Sequence, residues 1–326
     1  MVSNDKDENG QVIEKRLVKE YTYRQIFDHA HRLGKALHDR KLAYQEPELG
    51  MKLIGIYSKN RLEWYVSDWA CNLFGYTVCP LYDTLGKVNL EYCIDLCKMT
   101  TCFVSGKTAE QIEKFHQKGS LKTIICYDEI SADLKKKLNE QGLEVLGYWE
   151  MIEEGQKSET NYKDIPVNPE DIFTFCYTSG TTGPPKGALI SNANMMASTA
   201  GFLLNEDIKF GHEDVYLSTL PLPHVMERAI SMGIFYAGAY LVVGSGNLLK
   251  LKEDVATIKS TIFVSVPRLY NKIAENLKST IEGLVGGVEQ KRAPVEAAVF
   301  EKFRQSFGGR IRMMLCGSAP ILPAVQ

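Results

Sequence analysis

From about residue 52 onward, short uninterrupted apolar runs alternate with stretches whose apolar positions recur every three or four residues. "KLIGIYS", "TVCPLY", "TCFVS" and "KTIICYD" have strand length and almost no polar interruption. Between them, Leu62, Val66, Trp69 and Leu73 fall at helical spacing, and "VNLEYCIDLCK" and "AEQIEKFHQ" have the same period. Strands apolar at nearly every position and separated by helices predict an α/β fold with a parallel sheet covered on both faces. In such a fold, ligands lie beyond the carboxyl ends of the strands.

The flanks refine this pattern. "YTYRQIFDHAHRLGKALHDRKL" predicts an amphipathic helix with Ile26, Phe27, Ala30, Leu33, Gly34 and Leu37 on its inner side. The first ten residues of the chain are polar and are expected to be mobile. Asn60, three residues before Glu63, resembles a capping-box start for the helix that follows. Residues 229–249 carry no charge and approach the length of a membrane span. Glycine and serine interrupt them, however, and "AYLVVGSG" reads as a strand entering a turn, so a core helix followed by a core strand is expected. A polar stretch from Ser158 to Glu170 with two prolines marks the expected boundary. The predicted organisation is a first α/β lobe over 1–165 and a second over 166–326.

Composition narrows the function classes. With 38 Lys+Arg against 40 Asp+Glu, the chain has no overall field to attract nucleic acid, which argues against a polyanion-binding scaffold but not against a local basic site. Eight cysteines without a signal-peptide pattern read as reduced thiols of the cytoplasm. Cys93, Cys97 and Cys102 form no CxxC pair and have no histidine close by, so they are assigned to core packing and no metal site is proposed. Trp64, Trp69 and Phe74 sit within apolar helix patterning and are likewise expected in the core.

The densest chemistry lies in "TFCYTSGTTGPPKGALIS", residues 174–191. Thr178, Ser179, Thr181 and Thr182 place four hydroxyls within five positions, while Gly180 and Gly183 allow backbone N–H groups to approach an anion. Lys186 adds a point charge on a flexible stem. A Walker loop would open from Gly-Lys-Ser/Thr directly into a helix. Here Pro184 and Pro185 stiffen the turn, Gly187 follows the lysine, and "GALIS" resumes an extended pattern. The loop therefore joins two strands. Asn192 or Asn194 is placed to cap the helix "NANMMASTAGFLL" beyond it.

"YTSGTTGPPKG" resembles the signature of the AMP-forming adenylate synthetases, which join a carboxylate to AMP and then usually to a thiol. "GIYSKNRLEWYVSDWACNLFGYTVCPLYDTLG", "LPLPHVMER", "TIFVSVPRLYNKI" and "GGRIRMMLCGSAPI" resemble the eukaryotic long-chain fatty acyl-CoA synthetases, in that family's order along the chain. The resemblance implies the large N-terminal domain of an adenylate-forming enzyme. It also implies ATP with Mg²⁺, a long-chain fatty acid and CoA as reactants. By the same resemblance, His224 lies beside the acyl carboxylate and adenylate, and Gly317, Ser318, Ala319 and Pro320 contact the adenine and line the acyl pocket. Thr178 to Gly183 and Lys186 hold the phosphates. Arg268 is read as a structural ion-pairing residue. Peripheral contact with the cytosolic face of the endoplasmic reticulum or another organelle membrane is also implied.

In the family, an aromatic-glycine-x-Thr-Glu motif, a ribose-binding aspartate and a mobile domain carrying the adenylation lysine follow the region that ends here at Gln326. These 326 residues alone are therefore expected not to complete the reaction. The alternatives are a non-catalytic remnant that binds nucleotide, and an adenylate-forming ligase for medium-chain or aryl acids.

Overall fold

The computed structural model describes residues 2–6, 12–16, 19–48, 50–115, 119–178, 186–244, 246, 248–323 and 325. Two sheets organise it. The strands are β1 (Val2–Lys6), β2 (Val12–Arg16), β3 (Tyr44–Gln45), β4 (Lys52–Tyr57), β5 (Thr77–Leu81), β6 (Thr101–Val104) and β7 (Thr123–Cys126). They continue with β8 (Glu144–Gly147), β9 (Ile172–Thr178), β10 (Lys186–Ser191), β11 (Val215–Ser218), β12 (Tyr240–Val243), β13 (Ile262–Ser265) and β14 (Met313–Cys316). The helices are α1 (Tyr23–Arg40), α2 (Leu62–Leu73), α3 (Lys87–Leu96), α4 (Gly106–Phe115), α5 (Ala132–Glu140) and α6 (Tyr148–Gln156). Beyond the first sheet come α7 (Asn192–Leu204), α8 (Val225–Tyr236), α9 (Leu251–Ile258), α10 (Pro267–Val285) and α11 (Arg292–Ser306).

The first sheet has strand order β10-β9-β5-β4-β6-β7-β8, with β3 paired to β4. From β9 to β8 its neighbours are parallel, as the apolar runs predict. The two-residue side-chain period of each strand feeds two cores. On β4, Ile54 and Ile56 join α1, α2 and α6 on one face, while Leu53 and Tyr57 join α3, α4 and α5 on the other. Trp64 and Phe74 are fully buried in the first of these cores. Gly34 of α1 lies against Phe74, where a Cβ would stand 2.1 Å from the ring. Cys93, Cys97 and Cys102 are buried in the second core.

The structure departs from the sequence pattern in three places. The N-terminal polar residues include a paired hairpin, since β1 runs antiparallel to β2. The change of sheet comes later than the polar stretch suggests: β9 pairs in parallel with β5, and β10 closes the first sheet antiparallel to β9. The second sheet, all parallel in order β12-β11-β13-β14, therefore begins only at Val215. Helix caps also differ. Arg61 is the N-cap of α2 and makes no side-chain cap bond, and the cap of α7 is Ser191, whose hydroxyl accepts from the Asn194 N–H.

The uncharged stretch forms α8 followed by β12, as expected. Among the described residues, no helix is long and apolar enough to cross a membrane.

Candidate active site

Among the described residues, Lys186, His224 and Gly317 lie towards the carboxyl edges of the sheets. β4, β5 and β9 run in parallel, so the loop after Thr178 leaves the carboxyl edge of the first sheet. β11, β13 and β14 run in parallel, so His224 and Gly317 follow the carboxyl edge of the second. The two edges meet. Asn60, just beyond β4, donates from Nδ2 to Ser218 Oγ at 2.9 Å and to the Leu220 carbonyl at 2.7 Å. Its Oδ1 accepts from the Leu222 N–H at 3.0 Å. This amide thus binds the other sheet's edge rather than capping α2, and pairs with three polar groups there.

The hydroxyl-rich segment connects antiparallel strands, with Lys186 directly opposite Thr178 in the register. That is the strand–loop–strand arrangement inferred from the two prolines, and it differs from a Walker loop. Lys186 is exposed at the first position of β10. Ser179, Gly180, Thr181, Thr182 and Gly183, with Pro184 and Pro185, lie outside the described residues, as does the side chain of Thr178.

His224 is half-buried and is the N-cap of α8, where its Nδ1 accepts from the Met226 N–H at 3.3 Å. That contact leaves Nε2 as the nitrogen able to face a substrate. The turn after β14 packs on the same first turn of α8. Ser318 Oγ donates to Met226 Sδ at 3.4 Å, and a Cβ at Gly317 would lie 2.7 Å from that sulfur. Ser318 has φ +70°, a left-handed conformation unusual for a residue with a side chain. Ala319 and Pro320 are exposed beside it. His224 and the "GSAP" turn are thereby held against one helix start.

Sequence reading missed the groups that fix α8. Arg228 is buried and forms an ion pair with Asp68 of α2 through Nη2. Its Nη1 donates to Thr174 Oγ1 of β9, and its guanidinium lies 4.3 Å from the Phe173 ring centroid. Burial pushes the Asp68 carboxyl up and the Arg228 guanidinium down, each opposed by the charge of the other. The adjacent Glu227 is fully buried, and Tyr216 donates to its Oε2 at 2.6 Å. Burial pushes the Glu227 carboxyl up to about 7, against hydrogen bonds that favour its charged form. Tyr65 of α2 completes the contact, donating to Ser218 Oγ at 2.9 Å and lying 3.0 Å from Ser231 Oγ. A sequence signal was available: "ER" is a charged pair opening an otherwise apolar helix. By contrast, Arg268 is exposed and makes no ion pair among the described residues.

A small apolar groove of about 230 Å³ opens between α2, α7 and α8, against Trp69, Met195, Met196 and Met232. None of the predicted site residues lines it. Among the described residues, no cluster of three or more His, Cys, Asp or Glu is arranged to hold a metal ion.

Two α/β lobes built on largely parallel sheets whose carboxyl edges meet are the fold of the adenylate-forming class. Residues 6–326 match the AMP-binding enzyme family, and the chain belongs to it. Within that family it is similar to long-chain acyl-CoA synthetases. It is 31% identical over 293 residues to the peroxisomal long chain acyl-CoA synthetase 6 of Arabidopsis thaliana, covering 84% of this chain and 41% of that protein. It is 32% identical over 324 residues to long-chain-fatty-acid–CoA ligase 5 of Rattus norvegicus, covering 92% and 46%. The chain thus spans less than half the length of these relatives.

Solved structures share the fold. One is the A-PCP didomain of a carboxylic acid reductase from Segniliparus rugosus in complex with AMP, with a TM-score of 0.79 at 20% identity, covering 100% of this chain and 47% of that one. Another is a long-chain-fatty-acid-CoA ligase from Archaeoglobus fulgidus, with a TM-score of 0.68 at 20% identity, covering 94% and 59%.

Proposed function

We propose that this chain is the nucleotide- and acid-binding part of an ATP-dependent long-chain fatty acid–CoA ligase. The observation that carries the reading is the β9–β10 connection. A hydroxyl- and glycine-rich loop bearing Lys186 leaves the carboxyl edge of the first sheet, in a chain of the AMP-binding family. The long-chain relatives supply the acid class.

In the proposed reaction a fatty carboxylate attacks the α-phosphate of ATP. Acyl-adenylate forms and pyrophosphate leaves; the thiol of CoA then displaces AMP. The two reacting anions repel, so the protein must neutralise the triphosphate while aligning the carboxylate. Lys186 and the hydroxyls of Thr178, Ser179, Thr181 and Thr182 are assigned to the phosphates, with Gly180 and Gly183 admitting the backbone. Mg²⁺ would arrive with the nucleotide and spread charge over its phosphate oxygens. His224 is assigned to the carboxylate through Nε2. Gly317, Ser318, Ala319 and Pro320 are assigned to the adenine side. Losing one preorganised donor of this kind costs roughly 3–4 kcal/mol in a transition state.

The test uses the 326-residue chain with a fluorescent ATP analogue, and a full-length protein with oleate, ATP and CoA. Saturable binding by the chain, weakened at least about tenfold in Lys186→Ala, is expected from loss of one charged phosphate contact. The full-length protein is expected to release AMP and pyrophosphate in an oleate-dependent manner. Unchanged affinity in Lys186→Ala would sink the loop assignment. Turnover of aryl acids alone would replace the acid class.

A further inference from the structure

Against Tyr177, on the strand that leads into the proposed phosphate loop, lies a buried sulfur pair that the reaction does not use. Cys79 is on β5, Cys97 follows the end of α3, and Tyr177 is the last residue of β9 before Thr178. Cys79 Sγ lies 3.9 Å from Cys97 Sγ, and Cys97 Sγ lies 2.9 Å from the Tyr177 hydroxyl. The Tyr177 hydroxyl is also 3.8 Å from Cys79 Sγ, so three groups from three elements share one small space. Cys79 has no exposed surface, whereas Cys97 retains 8%.

We infer that Cys79 and Cys97 form a redox-controlled disulfide that, on oxidation by a peroxide, detaches the anchor of the phosphate loop. The inference rests on the proposed role of that loop. Two thiols almost in contact are common in cores, but here the second partner of Cys97 is the residue that leads into the loop. A disulfide requires the sulfurs to close from 3.9 Å to about 2.0 Å. Cys97 then has no proton to share and no thiolate to receive one, so its hydrogen bond with Tyr177 is lost.

The order of steps follows from the surroundings. Cys97 accepts hydrogen bonds from Cys79 and then from Tyr177, which draws its thiol below the ordinary range despite burial. The same hydrogen bond to Cys97, together with burial, pushes Cys79 up. Cys93, one helical turn before Cys97, is pushed up to about 11 by burial and remains a thiol. Cys97, the more acidic thiol of the pair, therefore loses its proton and attacks the peroxide O–O bond, giving a sulfenic acid and a hydroxide that takes up that proton and leaves as water. Cys79 then gives up its proton and attacks that sulfur, forming the S–S bond and releasing a second water. Two electrons pass from the thiols to one peroxide.

The experiment treats the 326-residue chain with hydrogen peroxide, blocks remaining thiols with N-ethylmaleimide, and maps linked peptides by mass spectrometry without reduction. A Cys79–Cys97 linked pair that dithiothreitol reverses is expected. Recovery of both residues as blocked thiols, or linkage only through Cys93, Cys176 or Cys316, would overturn the inference. In parallel, binding of the fluorescent ATP analogue is measured before and after oxidation. Affinity is expected to fall about tenfold, the scale of one lost buried hydrogen bond, and to return on reduction. Cys79→Ala and, independently, Cys97→Ser are expected to abolish the peroxide response.

A disulfide that forms without changing affinity would overturn the control of the loop. A reduced chain that binds no nucleotide would instead refute the proposed function, while the peptide map would still decide the disulfide.

Discussion

Glu227 gives the sharpest physical test of the buried contact between the lobes. Its carboxyl is fully buried, and burial lifts it from 4.5 to about 7. Because the folded-state value lies above the unfolded one, the folded protein holds a proton that the unfolded chain has released. Stability from this group is therefore full below about pH 4.5 and is lost as pH rises towards 7. Between about pH 5 and about pH 8 the loss is about 2–3 kcal/mol, because each tenfold change in proton affinity is worth about 1.36 kcal/mol.

Glu227→Gln keeps the shape and an acceptor for Tyr216 but cannot titrate. Leaving its new N–H₂ unpaired costs roughly 1–3 kcal/mol, yet that penalty is the same at every pH and cancels from the slope. Urea unfolding followed by tryptophan fluorescence, at several pH values across this window, measures the difference. Wild-type stability is expected to decline relative to the variant by about 2–3 kcal/mol as pH rises. Parallel pH profiles for the two proteins would show that Glu227 is ionised in the fold, and the burial reasoning would fail.

Other expectations concern packing around the same elements. Asp68→Ala strands the buried Arg228 guanidinium and is expected to destabilise the chain by about 3–5 kcal/mol. The double variant Asp68→Leu/Arg228→Met is expected to recover most of that loss in the same urea titration; no recovery would mean that Arg228 serves something other than Asp68. Gly155→Ala places a Cβ 1.8 Å from the Arg32 carbonyl oxygen, where α6 crosses α1. Backbone cannot yield as a side chain does, so a loss of at least about 1–3 kcal/mol is expected in thermal unfolding. A melting temperature equal to wild type would refute that contact.

The alternation of strand and helix from β4 to β7 was legible because each step is local. An apolar run buried on both sides leaves little choice of structure, and α1 buries Ile26, Ala30, Leu33, Gly34 and Leu37 as its spacing implied. Phe27 is only half-buried. The later change of sheet was not legible, because the pairing of Val78 with Thr174 joins residues far apart in sequence. Strand propensity does not name a partner.

The Asn60 reading failed for a related reason. A capping box is inferred from residues three apart, whereas the amide found its partners 158 and more positions away. At the site, the connection between two strands was readable from the prolines and the extended pattern that follows them. The buried machinery behind His224 was not, since Asp68 and Arg228 meet only once both lobes are assembled.

The β9–β10 hairpin also decides where this protein can be cut. A fragment ending at the polar stretch near residue 165 would remove both strands and leave Thr77–Leu81 of β5 as a bare sheet edge. Every residue of that strand is buried in the intact chain, and an apolar edge of this kind recruits strands from other molecules. Such a fragment would self-associate. A cut between α7 and β11 would keep the first sheet closed, and would expose instead the surfaces of Asn60, Tyr65 and Asp68 that β11, the turn after it and α8 cover.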